Sequence, residues 1–257
     1  MIEACPTLTE QDVLAALQRV SDPELDESIV DLQFVDRVRV DGGQVELVLR
    51  LPTFWCAPNF AYLMAHDARE QVLSLPGVRD VRVVLKDHMY SDEITAGVSA
   101  GEPFGQVFAG QCEGDNLGEL RQLFWGKAFG MRQEQLVRAL LDAGLTADEI
   151  VGLREADILD TSDAGGLRLR IAGVERRVRG AAPLARNYLS RRARVGLAEA
   201  TPWLITDPDG ARVAPEELQA HLQRTRRQRV SMTFNALMCR GLLETRYGLA
   251  GKEVEKT

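Results

Sequence analysis

The sequence predicts an α+β protein in two parts: a small αββαβ N-terminal domain and a mainly helical C-terminal domain carrying a β-hairpin. Three observations carry this. Apolar residues alternate near residues 34–51 and again near 81–85, with helical repeats beside them, whereas beyond residue 119 the apolar spacing is mostly helical. Charge divides at the same place, since residues 1–118 hold 8 Lys and Arg against 20 Asp and Glu, and residues 119–257 hold 23 against 18. At 257 residues the chain also has room for two cores. The expected division is a domain over 1–90, a Gly-rich linker over 91–118 and a helical domain over 119–257.

In chain order, Thr9 followed by Asp12 starts a helix whose inner face is Val13, Ala16, Leu17 and Val20. Pro23 disfavours helix at Asp22, so the helix ends by Ser21. Strands near 34–40 and 45–51 flank Asp41-Gly42-Gly43-Gln44, a turn whose glycines permit positive φ, and so form a hairpin. From Pro58, Ala61, Met64, Ala65, Ala68 and Val72 repeat at helical spacing until Leu75-Pro76-Gly77 breaks the helix. Val81, Val83 and Leu85 then mark a third strand. Between Lys86 and Gly118 six glycines and few periodic apolar residues read as a linker, with Tyr90, Phe104 and Phe108 available to dock part of it.

The second half opens with a helix near 132–143, stopped by Gly144, and a capping box at Thr146 and Glu149 starts a short one. Leu167, Leu169 and Ile171 alternate with arginines, turn at Ala172-Gly173 and return through Arg177 and Arg179 as a basic hairpin. Pro183 opens a helix, Pro215 starts another, and a last helix covers about 230–245.

Composition excludes several classes. No apolar run is long enough to span a bilayer and the N-terminus does not look like a signal peptide, so a cytoplasmic protein with no membrane partner is expected. Cys5, Cys56, Cys112 and Cys239 are far apart and form no CxxC pair, so neither a disulfide framework nor a complete zinc site is visible. Any metal site needs a partner or a second copy of the chain, which makes a homodimer one arrangement to consider. The acidic first half repels nucleic acid. No acid–base pair or phosphate loop marks an enzyme, so a non-enzymatic protein is expected.

Cys56 follows the alternating run Val45, Leu47, Leu49, Leu51 and stands two residues before Pro58, which suits the first position of a helix. A thiol there meets the positive end of a helix dipole, a setting that favours a metal-binding or nucleophilic thiolate. The other reading is a small buried apolar residue. His66 and His88 have no ligand-spaced neighbours and read as structural or solvated, and Cys112 reads as incidental.

The runs Asp22-Pro23-Glu24-Leu25, Ile29-Val30-Asp31-Leu32, Leu51-Pro52-Thr53-Phe54-Trp55-Cys56-Ala57-Pro58 and Leu75-Pro76-Gly77-Val78 resemble, in order and spacing, the PaaD/SufT family of iron–sulfur cluster assembly factors over about residues 8–90. The resemblance implies Cys56 as the functional and metal-binding residue. Asp22, Glu24 and Asp31 would lie near the same end of the sheet, and Thr53 comes with Cys56 in one run. Many members place proline directly after the cysteine; here Ala57 intervenes. The implied cargo is transient iron or an iron–sulfur cluster, and the implied partners are a client metalloenzyme, in particular a multicomponent oxygenase, or the cluster-assembly machinery. The carboxylates admit a second reading, with Asp22 as a turn residue and Asp31 as a strand cap.

Residues 120–245 resemble the catalytic domain of tyrosine recombinases (phage integrases) through Ala143–Ile150, Leu153-Arg154, the basic hairpin, Pro202-Trp203-Leu204-Ile205 and Thr233-Phe234. The family's first catalytic arginine falls on Thr146, its hairpin lysine near Val174 or Glu175, and its His-x-x-Arg box near Val230 and Ser231; Tyr247 comes too early for the nucleophile. Strand transfer needs cationic groups at the phosphoryl transition state, so this half reads as catalytically inactive. The expected function is an accessory or maturation factor, with a DNA-binding or regulatory protein using Arg168, Arg170, Arg176, Arg177 and Arg179 as the alternative.

Overall fold

A computed structural model of the chain describes residues 8–110, 117–162 and 165–249. Cys5 and Cys112 lie outside the described residues. The chain divides into two compact units, the first formed by residues 1–119 with 232–257 and the second by 120–231. The second unit is thus inserted in the sequence of the first.

In the first unit, α1 (Glu10–Leu17) begins with the expected capping box, Thr9 and Asp12 satisfying each other's backbone N–H groups, and buries Val13, Ala16 and Leu17. Strands β1 (Val35–Asp41) and β2 (Gln44–Arg50) pair antiparallel. Their two-residue turn, Gly42-Gly43, has φ of 50° and 95°, which only glycine adopts without strain at both positions. A Cβ on Gly43 would meet the Gly77 carbonyl oxygen at 2.6 Å, a second reason for glycine there.

Helix α2 (Pro58–Leu73) then crosses over the sheet, burying Ala61, Met64, Ala65, Ala68 and Val72, and β3 (Asp80–Lys86) pairs parallel with β2, from Gln44 opposite Asp80 to Arg50 opposite Lys86. The sheet order is β1-β2-β3. Parallel, in-register pairing has a direct consequence: the segments leaving β2 and β3 emerge side by side at one end of the sheet, where sites form in open sheets of parallel strands.

The expected linker is largely folded. Helices α3 (Ser91–Ala100) and α4 (Phe104–Val107) occupy much of it, and Ile94, Val98, Phe104 and Phe108 join the same buried cluster as the sheet. Tyr62 Oη donates to the Glu102 carbonyl at 2.6 Å, and Phe104 packs edge-on against Tyr62. The glycines act locally: Gly101, at φ 74°, ends α3 in the left-handed conformation.

The second unit contains α5 (Leu117–Asp142, whose first residues belong to the first unit), α6 (Ala147–Val151), β4 (Ile158–Asp160), β5 (Leu167–Ile171), β6 (Val174–Val178), α7 (Ala182–Arg194) and α8 (Leu197–Ala200). The expected hairpin is β5–β6, and the short β4 pairs antiparallel with β5 to make a three-stranded sheet. Helix α5 starts well before the expected 132. Its Gln133 is fully buried and donates to Tyr188 Oη and the Thr206 carbonyl, both at 2.9 Å, and pairs with His221. Burial lowers the pKa of His221 below 6.5.

The two final helices expected near 215 and 230 are one, α9 (Leu218–Tyr247), preceded by a 3-10 turn at Pro215–Glu217. Its first part belongs to the second unit and residues 232–247 to the first. Among the described residues no helix is long and apolar enough to cross a membrane.

Candidate functional site

The site is built at the end of the first sheet where β2 and β3 finish. After Arg50 the chain turns through residues 51–57 into α2, and after Lys86 it turns through 87–90 into α3. Because β2 and β3 are neighbours, these two segments bond directly. His88, buried, donates from Nε2 to the Cys56 carbonyl at 2.7 Å, and the Met89 N–H donates to the Phe54 carbonyl at 2.9 Å. The Nδ1 of His88 accepts from the Tyr90 N–H at 3.2 Å, which fixes the tautomer. Burial, with a further push from the Arg246 charge, lowers the pKa of His88 below 6.5 despite its bond to Cys56.

Cys56 is half-buried and not in a disulfide. Its Sγ lies 3.1 Å from Thr53 Oγ1, a bond in which the hydroxyl donates when the sulfur is a thiolate. The next helix opens with Pro58 at its first turn and has no acidic residue there, so no α2 carboxylate offsets the positive end of its dipole. Between Thr53 and Cys56 the chain presents Phe54 and Trp55 outward, Trp55 at 72% exposure.

Asp22 is 7% exposed, and its Oδ1 accepts from the N–H groups of Glu24 at 2.8 Å and Leu25 at 2.9 Å. Burial raises its pKa to about 6; those two N–H donors oppose the shift and the charges of Glu24 and Glu27 add to it. Asp22 thus closes a turn, as its structural reading expects, and does so with a buried carboxyl. Asp31 is exposed and accepts from Nε2 of Gln18, the residue that caps the end of α1, at 3.2 Å. His66 stacks on Tyr62 and pairs with Asp67, in keeping with a structural role.

The far end of α9 closes over this region. Asn235 donates to Glu24 Oε1 at 3.3 Å, Arg240 pairs with Glu27, and Arg246 donates to the carbonyls of Leu51 at 3.1 Å and Asp87 at 2.5 Å. Tyr247 bonds Asp87, and Arg50 and Lys86 lie 5.2 and 5.1 Å from its ring centre. Cys239 lies among these anchors. Burial, then the nearby carboxylates Asp22 and Glu24, push its thiol up to about 11. The structural reading of His88 holds, but the sequence did not tie it to Cys56 and gave Cys239 no role: each is single in its stretch, and the parallel pairing of β3 and the return of α9 place them. Among the described residues no three His, Cys, Asp or Glu side chains are grouped so as to hold a metal ion.

At two of the positions where the recombinase resemblance aligns catalytic groups, the side chains are engaged locally. Thr146 caps α6, and Glu175 accepts from Arg168 at 2.7 Å. Arg176 lies 3.8 Å from Glu149, so part of the basic hairpin is already ion-paired.

Residues 10–85, which span the whole αββαβ arrangement and contain Asp22, Glu24, Asp31, Thr53 and Cys56, match the model of a family described as iron–sulfur cluster assembly protein. An uncharacterized protein of Methanocaldococcus jannaschii is 39% identical over 88 residues, which are 90% of its length and 34% of this chain. The chain belongs to the iron–sulfur cluster assembly protein family. The chain is also similar to iron–sulfur cluster carrier proteins of Synechocystis and Deinococcus radiodurans, at 38% and 34% identity over 76 and 71 residues. This chain spans only about a fifth of their lengths, 21% and 20%. Cys239 and the rest of α9 lie outside the family match.

Proposed function

We propose that the protein is a maturation factor that holds iron or an iron–sulfur cluster transiently through Cys56 and delivers it to a client metalloenzyme, a multicomponent oxygenase being the client class that the family resemblance suggests. The observation that carries this reading is the placement of Cys56: a half-buried thiol 3.1 Å from the Thr53 hydroxyl, on a loop braced by His88 within the family domain. Thiolate sulfur is the preferred protein ligand of iron–sulfur clusters. A site with few protein ligands leaves coordination positions for the ligands of a recipient, so the cargo can leave. Thr53 steadies the sulfur by a hydrogen bond, His88 holds the backbone that carries it, and exposed Phe54 and Trp55 offer an apolar contact to the recipient beside the cargo. The carriers among its relatives and the lack of an acid–base pair in the sequence support a factor without catalytic chemistry of its own.

The test is anaerobic reconstitution of the full chain with iron and sulfide, followed by transfer to an apo-ferredoxin. Wild type acquires visible cluster absorption and activates the acceptor, and Cys56→Ser, with an unchanged circular dichroism spectrum, loses at least tenfold in transfer. Equal transfer by the two proteins overturns the reading.

A further inference from the structure

The last part of α9 is pinned on both sides of Cys239. Asn235, four residues before it, is bonded to Glu24; Arg240 is paired with Glu27; and Arg246 reaches the carbonyl of Leu51, where the Cys56 segment begins. Ala236 and Leu243, each 1% exposed, set the face of the helix that turns inward. Cys239 stands three residues after one and four before the other, so it shares that face. It packs against the same apolar cluster as Cys56.

We propose that Cys56 and Cys239 form a single two-thiol site for a thiophilic metal cargo, completed within one chain by the return of α9. This rests on the reading of Cys56 as the cargo ligand and supplies the second ligand for which the sequence suggested a partner or a second copy. Two sulfurs held by separate elements of one unit bind the same ion more tightly than either alone, because the second attachment is intramolecular. Each thiol releases its proton to solvent as its metal–sulfur bond forms. Two protein ligands still leave a four-coordinate cation open to a recipient, and Asp22 and Glu24 add negative charge that favours a cation.

The test uses the full chain carrying Cys5→Ser and Cys112→Ser, titrated anaerobically with Cd²⁺ alone and read by thiolate-to-metal ultraviolet absorption. Adding Cys239→Ser or Cys239→Ala should lower Cd²⁺ affinity at least tenfold, as should Cys56→Ser. Independently of any variant at the site, saturating Cd²⁺ should protect both Cys56 and Cys239 from alkylation, read by peptide mass spectrometry. If Cd²⁺ protects Cys56 alone and the Cys239 variants bind as before, the two-thiol site is wrong and the Cys56 reading stands. If neither cysteine is protected, both fall.

Discussion

His88 Nε2 donates to the carbonyl oxygen of Cys56 across 2.7 Å, joining the segment after β3 to the segment after β2. The bond is made from a buried ring whose other nitrogen is also engaged. Replacing His88 by Ala leaves a carbonyl and an N–H without their partner, which should lower stability by about 1–3 kcal/mol. Chemical denaturation measures that loss, and the alkylation rate of Cys56 should change with it.

The same ring predicts a pH dependence. Its folded pKa is below 6.5, so between the two values the unfolded chain binds the extra proton and stability falls as the pH drops below about 6.5. The contribution is fully present above that pH. Melting curves from pH 7.5 to 5 should show the decline, and His88→Gln should remove this component.

Asp22 acts in the opposite sense. Its folded pKa of about 6 exceeds its ordinary 3.8, so the folded state holds the proton longer and stability falls as the pH rises from about 4 to 6, then levels off. The groups that set this are burial and the nearby Glu24 and Glu27. Asp22→Asn keeps a side-chain oxygen for the Glu24 and Leu25 N–H groups and removes the buried charge. It should raise stability at pH 7 by on the order of 1–3 kcal/mol. Equal denaturation midpoints for the two proteins would contradict this.

Gly97 tests whether residues 91–108 are part of the fold. A Cβ at this buried position in α3 would collide with the side chain of Val107. Gly97→Ala should therefore destabilise the first unit by about 1–3 kcal/mol through overpacking, whereas in a linker it would be neutral.

Leu243 tests the docking of α9. It is buried in the first unit's cluster, and Leu243→Ala should cost about 2–5 kcal/mol. Hydrogen exchange of residues 232–247 should accelerate in the variant, and unchanged protection would show that this contact does not hold the helix.

Much of the first unit was legible in the sequence because its signals are local. Thr9 with Asp12, Gly42-Gly43 and Pro58 each specify a cap, a turn or a helix start within a few residues, and the strands fall within one or two residues of expectation. Local signals also misled. The glycines of 97–110 outweighed Ile94, Val98, Phe104 and Phe108, whose spacing belongs to two short helices too brief for clear periodicity. Helix α9 was split because its inward face changes along its length, from Leu218 and Leu222 in one core to Ala236 and Leu243 in the other. At the site, Thr53 and Cys56 are near neighbours in sequence and could be paired by inspection. His88 and Cys239 could not, since His88 reaches Cys56 through strand pairing and Cys239 joins the same core through a helix that returns after an intervening unit.

That return sets an order of events during synthesis. The Cys56 loop leaves the ribosome well before residues 232–247, with the whole of 120–231 made in between. Until the final turns of α9 emerge, Glu24, Glu27 and the Leu51 carbonyl lack their helix partners, and the thiol stands on an unfinished surface. A chain cut within the inserted unit would retain every residue of the family domain and still lack its closing helix. Intactness of the polypeptide is thereby written into the surface that carries Cys56.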